Sequence, residues 1–374
     1  MKSKKIIMLI LIIGITFLFT GATKKNNVKK SNQKKSIEVA LFVARSEGDM
    51  FFQPTIDFMR VAAKQLNMNI TVFFGDYNHI KMIENVKSAV SSRVKYDFLV
   101  YINFKKTAIK AVEIAETAKI PIFIMNSGFQ KDDNMGKPRE KYKYWIGEMV
   151  PDDQKAGYIL ANILIDDAKK KKRNGKVVMA ALEGNIADEA SIERKKGLIN
   201  AVSERNDVIL KQILPANWEK ESAKEKYQSL LRRYGFLDAV WCASDGMALA
   251  VYEEETGLTH GKNKVIIGGV DWTKEGLESV EKGEISATIG GHFMEGGWVA
   301  VLLYDYYNKV DFADISVAYK SDMIPVTAKN CNEVASKVSR DKWNNIDFKS
   351  FSRYHNGKEK IYDFGLEKIL SKIN

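Results

Sequence analysis

The chain has 374 residues, of which 45% are hydrophobic and 28% charged, a balance that is normal for a folded protein and excludes disorder over most of its length. That length exceeds one ordinary domain and favours two. The net charge of +11 falls to +8 without the three lysines of residues 1–22, and to +2 without the six of residues 23–36, so the basic balance does not predict nucleic-acid binding.

Residues 1–22 have the pattern of a secretory signal peptide. Lysines precede an apolar run over residues 6–19, and the small residues Gly21 and Ala22 follow it. The run is shorter than the roughly 20 residues that span a bilayer, and no cysteine follows it to carry a lipid. We therefore predict cleavage near Ala22 and a free protein in the periplasm of a Gram-negative cell. Residues 23–36 are interpreted as a disordered basic tail.

A first array of strands and helices begins at residue 37. Its strands are nearly continuous runs of Val, Ile, Leu and Phe, which indicates burial on both faces and hence a parallel sheet covered by helices. The predicted strands are residues 37–43, 70–74, 97–102, 121–125 and 144–147, and the predicted helices are residues 52–66, 80–94 and 107–118.

The same pattern restarts after residue 150. The predicted helices are residues 154–168, 189–203, 222–234, 247–255, 273–282 and 295–307, and the predicted strands are residues 176–182, 208–213, 238–243, 264–268, 286–290 and 321–326. Two successive arrays predict an α/β protein with two doubly wound parallel-sheet lobes. The last helix and strand come after the second array is complete, which predicts that the chain crosses back and forms a multi-strand hinge.

The predicted boundaries follow from these crossings. The predicted N-terminal lobe consists of residues 37–147 and 292–320, and the predicted C-terminal lobe of residues 148–291 and 321–330. An aromatic-rich extension follows over residues 331–374. The aromatic residues of the extension indicate that part of it is docked on the lobes.

Signatures of catalysis and metal binding are absent from the sequence. It contains no G-x-S-x-G, no phosphate-binding glycine loop and no H-E-x-x-H, and its four histidines have no metal-ligand spacing. We predict no metal, no cofactor and no enzymatic activity; a periplasmic sugar-processing enzyme is a remote alternative. Cys242 lies in a buried strand pattern, so we favour two unpaired thiols at Cys242 and Cys331, although an oxidising compartment permits a disulfide.

Polar and aromatic residues occupy the turns that lead from strands into helices. Because the carboxyl ends of parallel strands lie at one edge of a sheet, these side chains should meet in one cleft between the lobes. They are Arg45, Asp49, Phe51, Phe52 and Asn126 in the first lobe, and Arg194, Trp218, Ser244, Asp245 and Asp271 in the second.

Three of these turns resemble the signature turns of a known family. They read E-R-K-K-G-L at residues 193–198, S-D-G-M-A-L at residues 244–249 and G-G-V-D at residues 268–271. In this order, behind a signal peptide, they make the chain resemble the type I periplasmic binding proteins over residues 37–326, and most of all their ribose-binding branch. The resemblance implies two lobes that close on a small ligand.

The resemblance implies sugar contacts at particular positions of the first lobe. Asp49, Phe51 and Phe52 match the family's first ligand loop, and the aromatic rings would stack on the apolar faces of a sugar. Phe52 has an alternative interpretation as a core residue. Asn126 and Ser127 stand where the family often has Asp and Arg, a departure that removes one charge-assisted clamp.

In the second lobe, Arg194 matches an arginine whose fork can hold two adjacent oxygens. Trp218 matches an aromatic residue that stacks on the sugar from the second lobe, opposite the rings of the first lobe. Ser244 takes the place of a family Asn. Asp271 matches the acid that accepts hydrogen bonds from vicinal hydroxyls. The alternatives are a surface ion pair for Arg194 and a helix N-cap for Asp271.

Two candidates match the family less directly. Asp245 follows Ser244 in the same turn, and its alternative interpretation is a cap of the following helix. Gly291 stands where the ribose binders have Gln, so His292, the next residue, is the candidate substitute.

The chain also resembles the periplasmic receptors for autoinducer-2, in I-M-N at residues 124–126, in the insertion over residues 131–144 and in the tail after residue 326. Those receptors hold a borate diester, an anion, with two arginines. Only Arg194 has a match here, and Asp271 would repel an anion. We therefore expect a neutral polyol.

These features together predict a monomeric periplasmic solute-binding protein that closes on a small hydroxylated ligand, with a monosaccharide as the expected class, and delivers it to an ABC permease. The alternative is a receptor for autoinducer-2 or a sugar that signals to a sensor kinase or chemoreceptor. A regulator that binds nucleic acid is not expected, because a signal peptide and a lysine-rich tail occupy the place of a DNA-binding domain.

Overall fold

The computed structural model describes residues 35–172, 174–259, 265–358, 360–366, 368 and 369. The predicted signal peptide, and all but the last two residues of the predicted basic tail, lie outside them. None of the helices in this described part of the chain is long and apolar enough to cross a membrane.

Strands and helices alternate from Ile37 onward. The first elements are β1 (Ile37–Val43), α1 (Phe52–Gln65), β2 (Met68–Phe74), α2 (His79–Ser91), β3 (Phe98–Tyr101), α3 (Ala108–Ala118), β4 (Ile122–Met125) and β5 (Trp145–Pro151). Short polar residues cap some of the helices, as in α2, where the Asn78 side chain accepts from the backbone N–H groups of Ile80 and Lys81.

The second array continues directly from the first. Its elements are α4 (Asp153–Lys171), β6 (Val177–Glu183), α5 (Glu189–Ser203), β7 (Val208–Pro215), α6 (Lys220–Tyr234), β8 (Ala239–Cys242), α7 (Asp245–Thr259), β9 (Ile266–Asp271), α8 (Lys274–Glu281) and β10 (Ala287–Gly290). The last elements are α9 (Glu295–Tyr307), β11 (Ala318–Ser321), β12 (Ile324–Thr327), α10 (Cys331–Lys337) and α11 (Arg353–Asn356).

Two six-stranded sheets form the two lobes. Their strand orders are β11-β5-β4-β3-β1-β2 and β12-β10-β9-β8-β6-β7. Neighbouring strands are parallel except β12, which runs antiparallel to β10. The central strands β3, β4, β8 and β10 are buried throughout, because helices cover both faces of each sheet. The predicted α/β fold with two doubly wound lobes is confirmed.

The prediction of one strand over residues 321–326 is wrong. The segment forms two strands, of which β11 pairs with β5 in the first sheet and β12 pairs with β10 in the second. β11 was missed because it lies at a sheet edge and alternates exposed and half-buried residues, so it has no apolar run.

The predicted boundary after residue 147 is also wrong, because β5 continues in the first sheet to Pro151. Residue 321 belongs to the first sheet for the same reason. The chain therefore crosses between the sheets at residue 152, at residues 291–294 and at residues 322–323. These three crossings form the hinge.

The extension packs on both lobes. α10 contacts α8 and β12 of the second lobe, whereas the residues that follow it pack on α1 and α9 of the first. Trp343, Phe348 and Phe351 are buried there, with the Trp343 ring stacked on Phe293 at a centroid distance of 5.3 Å. Cys331 and Cys242 are both buried and unpaired.

One buried carboxylate of α9 fixes the extension. Asp305 is fully buried and accepts from the Ser352 hydroxyl, from the backbone N–H groups of Arg353 and Tyr354, and from the Tyr362 hydroxyl. A carboxylate has four lone-pair positions, so this one side chain can satisfy all four donors.

We expect Asp305→Ala to lower the free energy of unfolding by about 2–4 kcal/mol, because it leaves several buried donors unpaired. Chemical denaturation of the purified protein measures the change. Asp347→Ala is the matched control, since Asp347 is exposed and accepts from Lys349 N–H only locally. Equal destabilisation by the two variants would contradict the anchoring role of Asp305.

Candidate functional site

A cavity of about 650 Å³ lies between the two sheets, at the carboxyl ends of their strands. The loops after β1, β2, β3 and β4 line it from the first lobe, and those after β6, β7, β8 and β9 line it from the second. Nine of the eleven predicted residues line it, namely Arg45, Asp49, Phe51, Phe52, Asn126, Arg194, Trp218, Ser244 and Asp271.

The loop after β1 presents two aromatic rings to the cavity. Asp49 Oδ1 accepts from the backbone N–H groups of Phe51 and Phe52, at 3.0 Å each, and so fixes the start of α1. The two rings meet edge to face with centroids 4.6 Å apart. At the start of the same loop, the Arg45 guanidinium lies 4.2 Å from the centre of the Tyr77 ring.

Arg194 lies at the base of the cavity and is 3% exposed. Its Nε donates to Asp153 Oδ1 at 2.6 Å, and its first terminal nitrogen donates to Asp271 Oδ1 at 3.2 Å and to the Ala243 carbonyl at 2.6 Å. The second terminal nitrogen has no hydrogen bond to any described residue. The Trp218 ring lies 5.7 Å from the guanidinium carbon.

Close packing of α4 and α5 brings Arg194 to Asp153. A Cβ atom at Gly157 would collide with the Arg194 carbonyl, and one at Gly197 would collide with the Gln154 carbonyl. Only glycine permits this approach of two helix backbones. The surface-ion-pair interpretation of Arg194 is therefore wrong, since the residue is buried between two carboxylates.

Burial is the largest influence on the pKa values of the two carboxyls beside Arg194. It raises the pKa of Asp153 to about 6 and that of Asp271 well above its ordinary value, although Arg194 opposes both shifts. Burial alone would lower the pKa of Arg194, but attraction to Asp153 and Asp271 outweighs it and raises that pKa. A charged guanidinium thus has two carboxyl groups as close partners before any ligand arrives.

Asp245 does not line the cavity, contrary to prediction. It is fully buried, and its carboxylate accepts from the Thr273 backbone N–H at 2.9 Å, the Thr273 hydroxyl at 3.0 Å and the Thr288 hydroxyl at 2.6 Å. Nor does it cap α7, because Ser244 Oγ accepts from Met247 N–H. Asp245 instead ties the end of β9 to β10, and it positions Thr273, which does line the cavity.

His292 also lies behind the cavity wall rather than on it. Its ring is 1% exposed, packs against the Phe51 ring at a centroid distance of 5.2 Å, and has Nε2 3.7 Å from Asp271 Oδ1. Burial and the Arg194 charge lower the pKa of His292 well below its ordinary value. This position does not support the prediction that His292 contacts the ligand in place of the family glutamine.

The sequence analysis missed several cavity residues that carry structural hydrogen bonds, among them Asn103 and Asp188. Asn103 follows β3; its side chain donates to the Gly128 carbonyl at 2.5 Å and accepts from Ala108 N–H at 3.0 Å. Its position between a strand and a helix was an available signal. Asp188 precedes α5 and resembles an N-cap in sequence, yet its carboxylate makes no capping bond and instead accepts from Trp218 Nε1 at 2.9 Å.

Three buried or half-buried acids lie where the two lobes meet behind the Asn126 loop. Glu189 of α5 accepts from Gly128 N–H at 3.4 Å, and burial is the main reason why its pKa rises to about 8. Burial also raises the pKa of Glu148 on β5 to about 7 and that of Glu295 well above its ordinary value. Among the described residues, no group of three or more His, Cys, Asp or Glu could hold a metal ion.

Comparison with known proteins identifies the family. The profile described as a periplasmic binding protein domain matches residues 39–309. The chain belongs to the periplasmic binding protein family. The resemblance inferred from the turns is thereby confirmed, and so is the prediction that the chain is not an enzyme, since this is a family of binding proteins.

Some of the proteins to which the chain is similar are named as binding proteins for particular sugars. It is 27% identical over 240 residues to the ribose import binding protein of Salmonella typhimurium, covering 64% of this chain and 74% of that one. It is 24% identical over 234 residues to the D-allose-binding periplasmic protein of Escherichia coli, covering 61% and 70%. A periplasmic sugar-binding protein from Pseudomonas fluorescens superposes with a TM-score of 0.80 at 25% identity, over 89% of this chain and 99% of that one.

Ionisation of Glu189 predicts a pH dependence of stability. The raised pKa means that the folded protein keeps a proton that the unfolded chain loses above pH 4.5, so stability is full below that value and is lost as the pH rises toward about 8. Glu148 acts in the same direction up to about pH 7.

We therefore expect Glu189→Gln to raise the melting temperature at pH 8 by about 2 °C or more and to change it little at pH 4.5, because glutamine cannot ionise. Melting curves between pH 4.5 and 9 provide the measurement. Glu84→Gln, on the exposed side of α2, is the matched control. An unchanged slope of melting temperature against pH in the Glu189 variant would refute this prediction.

Proposed function

We propose that this periplasmic binding protein closes on a neutral, hydroxyl-rich small molecule, of which a monosaccharide is the expected class, and delivers it to the permease of an ABC importer. The observation that carries the proposal is Arg194, buried at the base of the cavity between Asp153 and Asp271. Its free terminal nitrogen supplies donors, and Asp271 supplies an acceptor, which is the pairing that vicinal hydroxyls need.

Aromatic side chains from both lobes complement these polar groups. Phe51 and Phe52 line the cavity from the first lobe and Trp218 from the second. A sugar ring presents apolar C–H faces to such side chains, while its hydroxyls point outward to the polar groups at its edge. The sugar-binding relatives support this ligand class for the chain.

Charge in the cavity favours a neutral ligand over an anion. The guanidinium of Arg194 already has two carboxyl partners. The rest of the lining holds more acidic than basic side chains, namely Asp49, Asp188, Glu219 and Glu221 against Arg45 and Lys220. An anion would have to displace or oppose those carboxyls as it loses its own hydration, which is costly in a buried site. A neutral polyol meets no such penalty.

Lobe closure provides the mechanism. A ligand that contacts both lobes binds the closed form better than the open form and shifts the population toward it, while the three crossings at the hinge absorb the rotation. The closed form offers a new surface to a membrane permease. Residues 1–22, as a signal peptide cleaved near Ala22, would deliver the protein to the periplasm.

A thermal-shift panel tests the proposal. We expect one pentose, hexose or polyol to raise the melting temperature, because a ligand at about 100 times its dissociation constant adds about 2.7 kcal/mol of stability. Arg194→Ala and Asp271→Ala should abolish the shift, whereas Arg232→Ala, an exposed substitution on α6, should retain it. A shift seen only with autoinducer-2 and borate would replace the neutral sugar with an anionic ligand, and a shift retained in both cavity variants would contradict the proposed site.

A further inference from the structure

Asp188 is a cavity residue whose carboxylate touches both lobes. It stands between β6 and α5 in the second lobe and is 9% exposed. Oδ2 accepts from Trp218 Nε1 at 2.9 Å, within its own lobe. Oδ1 accepts from the backbone N–H of Lys105, at 3.3 Å, in the first lobe. One side chain therefore links the aromatic wall of the cavity to the opposite side of the cleft.

This hydrogen bond is one of the contacts that hold Trp218 in a strained conformation. Its backbone is left-handed, with φ of +66°, and so is that of Asn217, with φ of +54°. The ring lies directly over Gly184, where a Cβ atom would collide with it. Backbone strain of this kind persists only where surrounding contacts enforce it, and the bond from the indole to Asp188 is one such contact.

Lys105, the first-lobe partner of Asp188, lies in one of two loops that a hydrogen bond joins. Lys105 and Lys106 are both left-handed, with φ of +49° and +63°, and they follow Asn103 in the loop after β3. Asn103 donates to the Gly128 carbonyl in the loop after β4, and Gly128 N–H donates to Glu189, the neighbour of Asp188. Two linked loops of the first lobe thus meet two adjacent carboxyls at the start of α5.

We propose that Asp188 is a positioning residue that couples lobe closure to the placement of Trp218 against the ligand. This inference deepens the proposed function and rests on it. The bond to Lys105 exists only when the lobes are together, and the bond to Trp218 holds the ring that the ligand stacks on. A closed, liganded protein therefore gains both contacts at once, and opening must break the first.

The coupling predicts an effect on ligand release. We expect Asp188→Ala to raise the dissociation rate of the bound sugar about tenfold or more and to change the association rate much less. The reason is that the bond between Asp188 and Lys105 forms only after the ligand has entered the cleft. Stopped-flow measurements on the full chain separate the two rates. Ile186→Ala is the matched control, since Ile186 lies in the same loop and is 62% exposed; it should leave both rates near those of the original protein.

A double-variant cycle separates positioning from a general structural effect. Trp218→Phe keeps an aromatic ring but removes the indole N–H. If Asp188 acts through that N–H, the dissociation rate of the double variant will rise by less than the product of the two single effects. Full multiplication of the effects, or an equal change in both rates with a large fall in melting temperature, would overturn the assignment.

Tryptophan quenching tests the same role without a ligand. Trp218 is the one tryptophan of the six that is not buried, so acrylamide quenching reports mainly on it. Asp188→Ala should increase the quenching constant at least 1.5-fold, and Trp218→Phe should remove the quenchable component. Unchanged quenching would overturn the positioning role. If no sugar binds but quenching rises, the proposed function fails while the contact between Asp188 and Trp218 stands.

Discussion

The burial of Arg194 between Asp153 and Asp271 is the interaction on which the rest of the site depends. It joins the first residue of α4, just after a hinge crossing, to α5 and to the end of β9. A buried charge without partners would be prohibitively costly, so both carboxyls and the Ala243 carbonyl are required. The glycines that let α4 and α5 touch are part of the same constraint, because a larger residue would separate the guanidinium from Asp153.

One hinge crossing packs against both the wall of the cavity and the C-terminal extension. His292 and Phe293 occupy one crossing, where His292 packs behind Phe51 and Phe293 stacks on Trp343 of the extension. The extension is held to α9 by Asp305. Contacts therefore run from the aromatic wall of the cavity, through a crossing between the lobes, to a segment that lies beyond the matched family domain. This continuity gives the extension a physical connection to the ligand site.

The sequence predicted the elements well where the signal was local. Strands such as β1 and β8 appeared as apolar runs, and the positions of strand ends identified nine of the residues that line the cavity. It failed where tertiary contacts decided the outcome. β11 is an edge strand with alternating exposure. Asp245 accepts from two threonines that are distant in the chain, one after β9 and one in β10, and Asp188 accepts from an indole and a backbone N–H that are also distant in the chain. No spacing in the sequence encodes those pairings.

The most direct test of the central claim compares two ligands that differ only in charge. Isothermal titration would measure the affinity for the sugar found in the panel and for the corresponding uronic acid, which carries a carboxylate. Because Asp153 and Asp271 already accept hydrogen bonds from Arg194, we expect the neutral sugar to bind at least tenfold more tightly. Tighter binding of the carboxylate would show that the guanidinium is available to an anion and would contradict the proposed role of Arg194.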